Sequence, residues 1–385
     1  MKIPGSPSSP LTTRYFGVPV AATVLDGVNR LGIPLPQLCK DPDCAPLGAC
    51  RTCLVHVEGQ KGLPAACHLP ARDGMVVSTE HPDAVRVRRG VLDLTLSMLT
   101  PSPERAAFAQ VGTAAARHGL LEPGGAPLHR FDVDATKSFF VLDREACILC
   151  GRCTVACDEV QQIGAISLLG RGHATRVGVF ADGAMAASVC TSCGQCVATC
   201  PTGALRPKET PAKITRRVET TCPYCGVGCG IEVVVREDDR LALMADDVPS
   251  NRSSLGMLCV KGRFGTGFVH ARDRITRPMV RRDGRWAETS WDEALEAAAD
   301  GLARHRGRFG AFASAKATNE DGYVIQKLCR VVMQTNDVDH CTRLCHSPSV
   351  EAMLASMGSG ATSNSYQDYE EAGCLLVVGA DASAN

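Results

Sequence analysis

The alternation of apolar and polar residues in the N-terminal part of the chain predicts short elements. Residues 22–31 have helical spacing and end at Gly32, a favourable residue just beyond a helix C-terminus. Residues 52–57 and 75–79 alternate between apolar and polar positions, as strands with one buried face do. These patterns predict a small domain that combines one helix with several short strands.

Longer helical patterns follow, and the C-terminal part is organised differently. Residues 86–98 and 104–117 show the spacing of amphipathic helices. Further on, an apolar stretch opens residues 309–319, a helical pattern occupies residues 320–334, and residues 374–379 form an apolar run that we expect to be a buried strand. Strand, loop and helix in this succession are typical of an α/β domain.

Composition narrows the kinds of function. The 385 residues include 41 basic and 41 acidic side chains. A formal net charge of zero argues against a nucleic-acid binder, which would carry an excess of basic side chains. No apolar run approaches the ~18–20 residues of a membrane helix, and residues 1–17 carry no apolar core of an export signal. We therefore expect no nucleic-acid partner, no membrane segment and a cytoplasmic location, where the 21 cysteines stay reduced. Thiols in that number indicate metal or cluster binding.

Eight of the cysteines form one pattern, C-x2-C-x2-C-x3-C, which occurs twice, and Pro201 follows the second copy. This is the pattern of bacterial two-cluster ferredoxins, in which the fourth cysteine of each copy binds the other cluster. C-x2-C pairs also bind zinc, but two complete sets with the proline favour clusters. We expect a ferredoxin domain over residues 136–212, with one 4Fe-4S cluster on Cys147, Cys150, Cys153 and Cys200 and a second on Cys190, Cys193, Cys196 and Cys157.

Two other cysteine groups leave more than one interpretation open. The first has the spacing C-x10-C-x2-C-x13-C, with Cys44 left out, and the last has the spacing C-x2-C-x3-C-x29-C. Four thiolates at either spacing suit an iron–sulfur cluster or a structural zinc ion. The first group is Cys39, Cys50, Cys53 and Cys67, and the last is Cys222, Cys225, Cys229 and Cys259.

The first group resembles the 2Fe-2S variant at the N-terminus of large complex-I-type subunits and related dehydrogenases. That resemblance implies a β-grasp ferredoxin domain over residues 12–82 with one 2Fe-2S cluster. Relatives often carry another cluster, on one histidine and three cysteines, in the segment that follows. Here His81 and His118 have no cysteine nearby to complete such a set, so residues 83–135 are predicted to be a helical linker without a cluster.

The C-terminal half carries the most specific resemblance. Residues 221–265 resemble the cluster domain of molybdenum or tungsten bis-pterin oxidoreductases, and residues 336–350 closely resemble the active-site loop of formate dehydrogenases. In that family a metal-ligating cysteine is followed directly by a histidine. Those positions are Cys345 and His346 here, and Arg343 lies two residues before the cysteine. The order of all the modules resembles the α subunit of NAD-dependent formate dehydrogenases.

This resemblance implies the remaining domains and cofactors. Residues 216–275 would hold the third of three 4Fe-4S clusters, and residues 276–385 would begin an incomplete α/β molybdopterin domain. A molybdenum or tungsten bis(molybdopterin guanine dinucleotide) would be only partly enclosed, with Cys345 on the metal. Lys261 would lie between the third 4Fe-4S cluster and a pterin, as a catalytic and cofactor-binding cation. The pterin contacts implied are Asn319, Gly379 and Asn385. The expected fold is multidomain, with α+β and α/β parts.

The function implied is oxidation of formate to CO2, with the electrons leaving through the clusters. No G-x-G-x-x-G fingerprint occurs, so NAD would be held by a partner, a flavin- and NAD-binding β subunit. Two alternatives stay open: another bis-pterin oxidoreductase such as an assimilatory nitrate reductase, and a complex-I-like electron-transfer subunit without an active metal. The pair Cys345 and His346 argues against the last.

The sequence stops in mid-domain, which favours a fragment of a longer protein. Four cysteines are expected to be free buried thiols: Cys44, Cys329, Cys341 and Cys374.

Overall fold

The computed structural model describes residues 2–3, 14–15, 22–41, 44–99, 110–120, 131–208, 214–237, 241–243 and 254–379. The sheets within these ranges are small, six of two strands and one of three. None of the described helices has the length and apolar character needed to cross a membrane. Four separate clusters of buried apolar residues lie along the chain, so the fold is a succession of small units.

The N-terminal unit is built on helix α1 (Val24–Arg30). Thr23 caps α1 in a capping box with Asp26, and Gly32 at φ +65° follows its C-terminus, as the sequence predicted. The apolar face of α1 packs against Val55 and Val77. Both predicted strands are shorter than expected, the first because residues 52–53 form a turn. The strands are β1 (Lys2–Ile3), antiparallel to β2 (Arg14–Tyr15), and β3 (His56–Val57), antiparallel to β4 (Val77–Ser78).

Two helices connect this unit with the next, α2 (Pro82–Ser97) and α3 (Gln110–Arg117). Helix α2 begins earlier than predicted, because the His81 side chain accepts the amide N–H of Asp83 and caps the helix. The first residues of the second predicted helix lie outside the described part of the chain. The two helices and the loop before Cys39 share one apolar cluster, formed by Leu38, Leu92, Leu96, Val111, Ala114 and Ala115.

The third unit has an internal repeat closed by one strand pair. Strands β5 (Phe140–Leu142) and β8 (Leu205–Pro207) pair antiparallel and bring its two ends together. A hairpin of β6 (Ser167–Leu169) and β7 (Arg176–Gly178) lies between them. Each half contributes a short helix, α4 (Arg152–Val155) or α5 (Gln195–Thr199), and α4 continues into a π-helical turn, Ala156–Val160. Both helices follow a glycine in the left-handed region, Gly151 at φ +79° and Gly194 at φ +77°.

A three-stranded antiparallel sheet follows. Its order is β11 (Leu241–Leu243), β10 (Gly230–Arg236), β9 (Ile214–Thr221), so consecutive strands are neighbours. Ile231 of β10 packs with Leu258 and Cys222 in a small buried cluster. Helix α6 (Val260–Phe264) begins directly after Cys259 and packs towards the third unit.

The C-terminal unit contains the parallel strand pair expected of an α/β domain. Strand β14 (Ala311–Ala313) pairs parallel with β15 (Val338–His340), and helix α8 (Asn319–Lys327) connects them, ending in a π-helical turn, Leu328–Val332. A hairpin of β12 (Met279–Arg282) and β13 (Arg285–Glu288) precedes helix α7 (Trp291–Ala303). The last helices are α9 (Thr342–Cys345), α10 (Ser347–Met357) and α11 (Tyr366–Glu371).

Two expectations for this unit are wrong. Residues 374–379 are neither a strand nor buried: Leu376 is 89% exposed, because no described strand or helix covers the run. Cys341 and Cys374 are exposed rather than buried, whereas Cys44 and Cys329 are buried as predicted. Burial of such segments depends on elements elsewhere in the fold, and a local apolar pattern does not report it.

Candidate metal centres and active-site loop

The repeat of the third unit gathers its eight cysteines into two cavities of similar size. One cavity, with about 340 Å³ of empty space including its opening to solvent, is lined by Cys147, Cys150, Cys153 and Cys200 together with Leu142, Ile148 and Leu205. The other, with about 320 Å³ measured in the same way, is lined by Cys157, Cys190, Cys193 and Cys196 together with Ile163, Ile166 and Met185. Each cavity takes three cysteines from one half of the repeat and the fourth from the other half. The structure thus brings together the two crossed sets that the spacing predicts.

Backbone amides point at the cysteine sulfurs in both halves in the same way. The amide of Leu149 donates to Cys147 Sγ at 3.4 Å, and that of Ser192 donates to Cys190 Sγ at 3.4 Å. Leu149 and Ser192 both have left-handed backbones, at φ +55° and +62°, which turn these N–H groups inward. Hydrogen bonds to ligand sulfurs help to set the potential of an iron–sulfur cluster.

Burial makes the innermost thiols hard to ionise without a metal. The pKa values of Cys153 and Cys196 are raised well above the ordinary range, first by burial and then by the neighbouring cysteines of each set. Bound metal keeps a thiol deprotonated and so offsets this cost. Thiolate donors in apolar cavities therefore suit an iron–sulfur cluster, whose iron ions offset much of the thiolate charge.

The first cysteine group also converges. Cys39 and Cys50 form one hydrogen-bonded pair and Cys53 and Cys67 form another, and the two pairs interact electrostatically. The hydrogen bond with Cys39 lowers the pKa of Cys50 to about 5 and raises the pKa of Cys39. Cys44 is buried outside this set, and its carbonyl accepts from Lys40 Nζ at 2.6 Å. The four cysteines are those that the family resemblance indicated.

The last cysteine group lies between strand β9, strand β10 and helix α6. Cys222 donates its amide to the carbonyl of Cys229 at 2.8 Å, which closes the loop that carries Cys225. Repulsion from Cys225 and Cys259 adds to burial in raising the pKa of Cys222 and Cys229. The four thiols thus lie close enough to act on one another electrostatically at this end of the sheet. Within the described residues, no three His, Cys, Asp or Glu side chains have the spacing that would hold a single metal ion.

The loop after β15 carries Cys345 and His346. Cys345 is the last residue of α9, and His346 separates α9 from α10, with its carbonyl accepting the amide of Val350 at 2.9 Å. Both side chains are exposed. The Nε of Arg343 donates to Asp339 Oδ2 at 2.8 Å, and this contact holds the pKa of Asp339 below its ordinary value. The arginine is therefore engaged by a carboxylate of strand β15, four residues earlier in the chain.

The other predicted pterin contacts lie in separate elements of the chain. Lys261 is the second residue of α6 and lies two residues after Cys259, Asn319 begins α8, and Gly379 has φ +65°. Asn319 and Gly379 are exposed, as is Cys345, so the described residues do not enclose a pterin around them. Asn385 lies outside the described residues. A thiolate at Cys345 suits a soft metal. The described residues around Cys345 leave this side chain exposed.

Several polar residues near the cysteines escaped prediction. Arg152, Asp41 and Thr199 form a buried network, and Arg263 is a second buried arginine beside Gln195. One signal could have revealed two of them: Arg152 and Gln195 occupy the same place, just before the third cysteine, in the two copies of the repeat. Their partners are too distant in sequence for a motif to indicate.

Comparison with known families agrees with this order of units. Residues 14–82 match a 2Fe-2S iron-sulfur cluster binding domain and residues 146–204 a 4Fe-4S dicluster domain. Residues 215–271 match the molybdopterin oxidoreductase Fe4S4 domain and residues 274–385 the molybdopterin oxidoreductase family. The chain therefore belongs to the molybdopterin oxidoreductase family and carries 2Fe-2S and 4Fe-4S domains. These matches support iron–sulfur clusters over the zinc alternative and confirm the predicted fold class.

Individual relatives of this chain have different names. A subunit of an NADH-quinone oxidoreductase from Rhizobium meliloti is 33% identical, over 95% of this chain and 43% of that protein. The alpha subunit of an NADPH-Fe(3+) oxidoreductase from Geobacter sulfurreducens is 32% identical, over 94% of this chain and 43% of that protein. "Putative formate dehydrogenase YrhE" of Bacillus subtilis is 31% identical, over 94% of this chain and 42% of that protein. The chain thus spans less than half the length of these relatives.

Proposed function

We propose that this chain belongs to a catalytic subunit that oxidises formate to CO2 and passes the electrons to a partner. The observation that carries the proposal is the pair Cys345–His346, which ends α9 at the carboxyl end of a parallel strand pair, downstream of four cysteine groups. Ligands of α/β sheets bind at this end of the strands. A formate dehydrogenase name among the relatives supports the same substrate.

The residues of the loop have distinct roles in this proposal. When bound, a molybdenum or tungsten bis-pterin group would supply two-electron redox chemistry, and the clusters would carry the electrons away singly. Cys345 would hold the metal through its thiolate. His346 would take up the proton released as formate becomes CO2, because an imidazole changes charge near neutral pH. Arg343 would orient the formate carboxylate after exchanging its contact with Asp339, and Lys261 would place a positive charge beside the third 4Fe-4S cluster.

Four clusters form the proposed electron path. The 2Fe-2S cluster would use the first cysteine group, two 4Fe-4S clusters the crossed sets of the third unit, and a third 4Fe-4S cluster the last group. The two four-cysteine cavities and the convergence of the other groups support this count. The pterin contacts proposed are Asn319, Gly379 and Asn385, completed by residues outside this chain.

A flavin- and NAD-binding β subunit is the proposed partner, in the cytoplasm. Relatives named for NADH and NADPH reactions support a nicotinamide-linked acceptor. The same names favour one alternative, an electron-transfer subunit that keeps the scaffold but no active metal. Such a subunit needs no thiolate at position 345, whereas a formate or nitrate enzyme does. The other alternative, an assimilatory nitrate reductase, would use the same metal ligand with a different substrate.

Formate-dependent dye reduction by the full-length protein with its partners tests the proposal. We expect Cys345→Ala to abolish this activity, while the anaerobically purified variant keeps the iron of one 2Fe-2S and three 4Fe-4S clusters, about 14 atoms per chain. Activity that survives the substitution would refute the metal-ligand role. Nitrate-dependent oxidation of a reduced dye, with formate inert, would establish the nitrate alternative. Absence of molybdenum and tungsten from the active full-length complex would favour the electron-transfer subunit.

A further inference from the structure

A buried arginine joins the first cysteine group to the third unit. Arg152 lies between Cys150 and Cys153 and is 5% exposed. Its Nη2 lies 3.3 Å from Oδ2 of Asp41, two residues after Cys39, and this ion pair is nearly inaccessible to solvent. The two residues are 111 positions apart. A buried charge pair therefore connects two cluster domains at a point where both have cysteine ligands.

Each nitrogen of the Arg152 guanidinium has a different partner. Nε donates to Thr199 Oγ1 at 2.9 Å, and Nη1 donates to Gln110 Oε1 of α3 at 2.8 Å. The Thr199 hydroxyl in turn donates to Oδ2 of Asp41. The network spans the N-terminal unit, the helical linker and both halves of the repeat, since Thr199 directly precedes Cys200. The planar guanidinium fixes these partners in one geometry, which a flexible ammonium group could not do.

The equivalent position in the other half of the repeat also contacts a neighbouring domain. Gln195, which stands where Arg152 stands in the first copy, accepts from Arg263 Nη2 at 3.0 Å, and Arg263 Nε donates to the carbonyl of Cys193 at 2.9 Å. Arg263 belongs to α6 of the next unit. The repeat thus meets its two flanking domains at equivalent positions. This parallel indicates that the contact at Arg152 is a docking point and not an isolated surface feature.

We infer that Arg152 is a positioning residue that fixes the 2Fe-2S domain against the first 4Fe-4S cluster and raises the potential of that cluster. The inference rests on the cluster assignments proposed above but not on formate as substrate. Cys50 and Arg152 both act electrostatically on Cys150, so the two cluster sites are near neighbours. A fixed positive charge beside the cluster stabilises its reduced, more negative state. The Asp41 carboxylate acts in the opposite direction.

Redox titration of the full-length protein, followed by electron paramagnetic resonance, distinguishes two effects of Arg152. One is the effect of its charge on the cluster potential, and the other is its effect on the relative position of the two clusters. Asp41→Asn is expected to raise the midpoint potential of the first 4Fe-4S cluster, Arg152→Gln to lower it, and the double variant to return it towards the original value. Arg152→Lys keeps the charge but cannot reproduce the planar fork. It should leave the potential nearly unchanged and weaken the magnetic interaction between the reduced 2Fe-2S and first 4Fe-4S clusters.

A second buried pair provides the matched control. Arg206 Nη1 lies 3.4 Å from Asp143 Oδ2, with both side chains largely buried, but both belong to the third unit. Arg206→Gln should leave the magnetic interaction between the two clusters unchanged.

Midpoint-potential shifts of the same sign in Asp41→Asn and Arg152→Gln, or an unaltered magnetic interaction in Arg152→Lys, would overturn the inference. If Arg152→Gln does not assemble its clusters, Gln110→Leu serves instead, because it removes one hydrogen bond of the Arg152 guanidinium at an exposed residue. An unchanged magnetic interaction between the two clusters in that variant would also overturn the inference. Absence of both signals from the unmodified protein would instead refute the cluster assignment.

Discussion

At the scale of single residues, Thr52 has a defined relation to a proposed cluster ligand. Its Oγ1 lies 3.1 Å from Cys50 Sγ and 3.4 Å from the amide nitrogen of Leu38. Because the hydroxyl oxygen accepts the Leu38 N–H, its own proton is available to the sulfur. This contact helps to lower the pKa of Cys50, and the hydrogen bond with Cys39 lowers it more. Thr52 therefore favours negative charge on this ligand.

We predict that Thr52→Val lowers the midpoint potential of the 2Fe-2S cluster. A hydrogen bond to a ligand sulfur stabilises the reduced, more negative cluster, and valine keeps the shape of threonine without the hydroxyl. Thr52→Ser, which retains the donor, should keep the original potential. A redox titration that finds Thr52→Val and Thr52→Ser equal would show that the hydroxyl does not tune the cluster.

The cysteine sets and the polar residues around them differ in how well sequence predicts them. Three ligands of each crossed set lie within seven residues, so their spacing alone limits where they can meet. Asp41 and Arg152 are 111 residues apart, and Arg263 and Gln195 are 68 apart. Only the packing of whole domains brings such pairs together, and nothing local in the sequence records it.

At the scale of elements, helix α2 shows how apolar spacing predicts a packed face. Leu92 is fully buried against α3 and the loop before Cys39, whereas Leu94, two residues later on the same helix, is 69% exposed. Residues two apart in a helix do not share a face. The periodicity of residues 86–98 therefore predicted the helix, and the structure identifies which of its leucines are in contact.

We expect Leu92→Ala to destabilise the helical linker by about 2–5 kcal/mol, the usual cost of deleting a buried leucine side chain. Leu94→Ala is the matched control and should stay within about 0.5 kcal/mol of the original, because it removes little buried surface. Hydrogen exchange of the α2 and α3 amides measures both. Equal protection in the two variants would contradict the packing of Leu92 between the helices.

Prediction of elements fails where burial comes from distant segments. The apolar run 374–379 has the composition of a central strand but is exposed. Conversely, the short strands β14 and β15 pair in parallel although 24 residues separate them, because helix α8 connects them over the sheet. Apolar pattern predicts which residues can be buried, and topology decides which of them are.

At the scale of the whole molecule, the cluster-bearing units are joined by close contacts that leave little room for adjustment. Phe264 of α6 stacks on Phe139, with ring centroids 5.4 Å apart, and Arg263 lies against Gly194. A Cβ on Gly194 would come within 2.2 Å of Arg263 Cδ and 2.7 Å of the Phe264 ring. Absence of a side chain at Gly194 is therefore required for the third unit and the next domain to approach as they do.

Gly194→Ala should consequently weaken electron exchange between the proposed second and third 4Fe-4S clusters while leaving all four proposed clusters assembled. The added methyl group has to displace Arg263 and Phe264, which hold the two domains together. Gly172→Ala provides the control, because Gly172 also has a left-handed backbone, at φ +57°, but nothing lies within 4 Å of the Cβ position. Both variants carry a similar backbone strain of about 1–2 kcal/mol. Magnetic interaction between the two reduced clusters, measured in both full-length variants, should decrease in Gly194→Ala alone. An equal decrease in both would attribute the effect to backbone strain and remove the reason for placing the electron path across this contact.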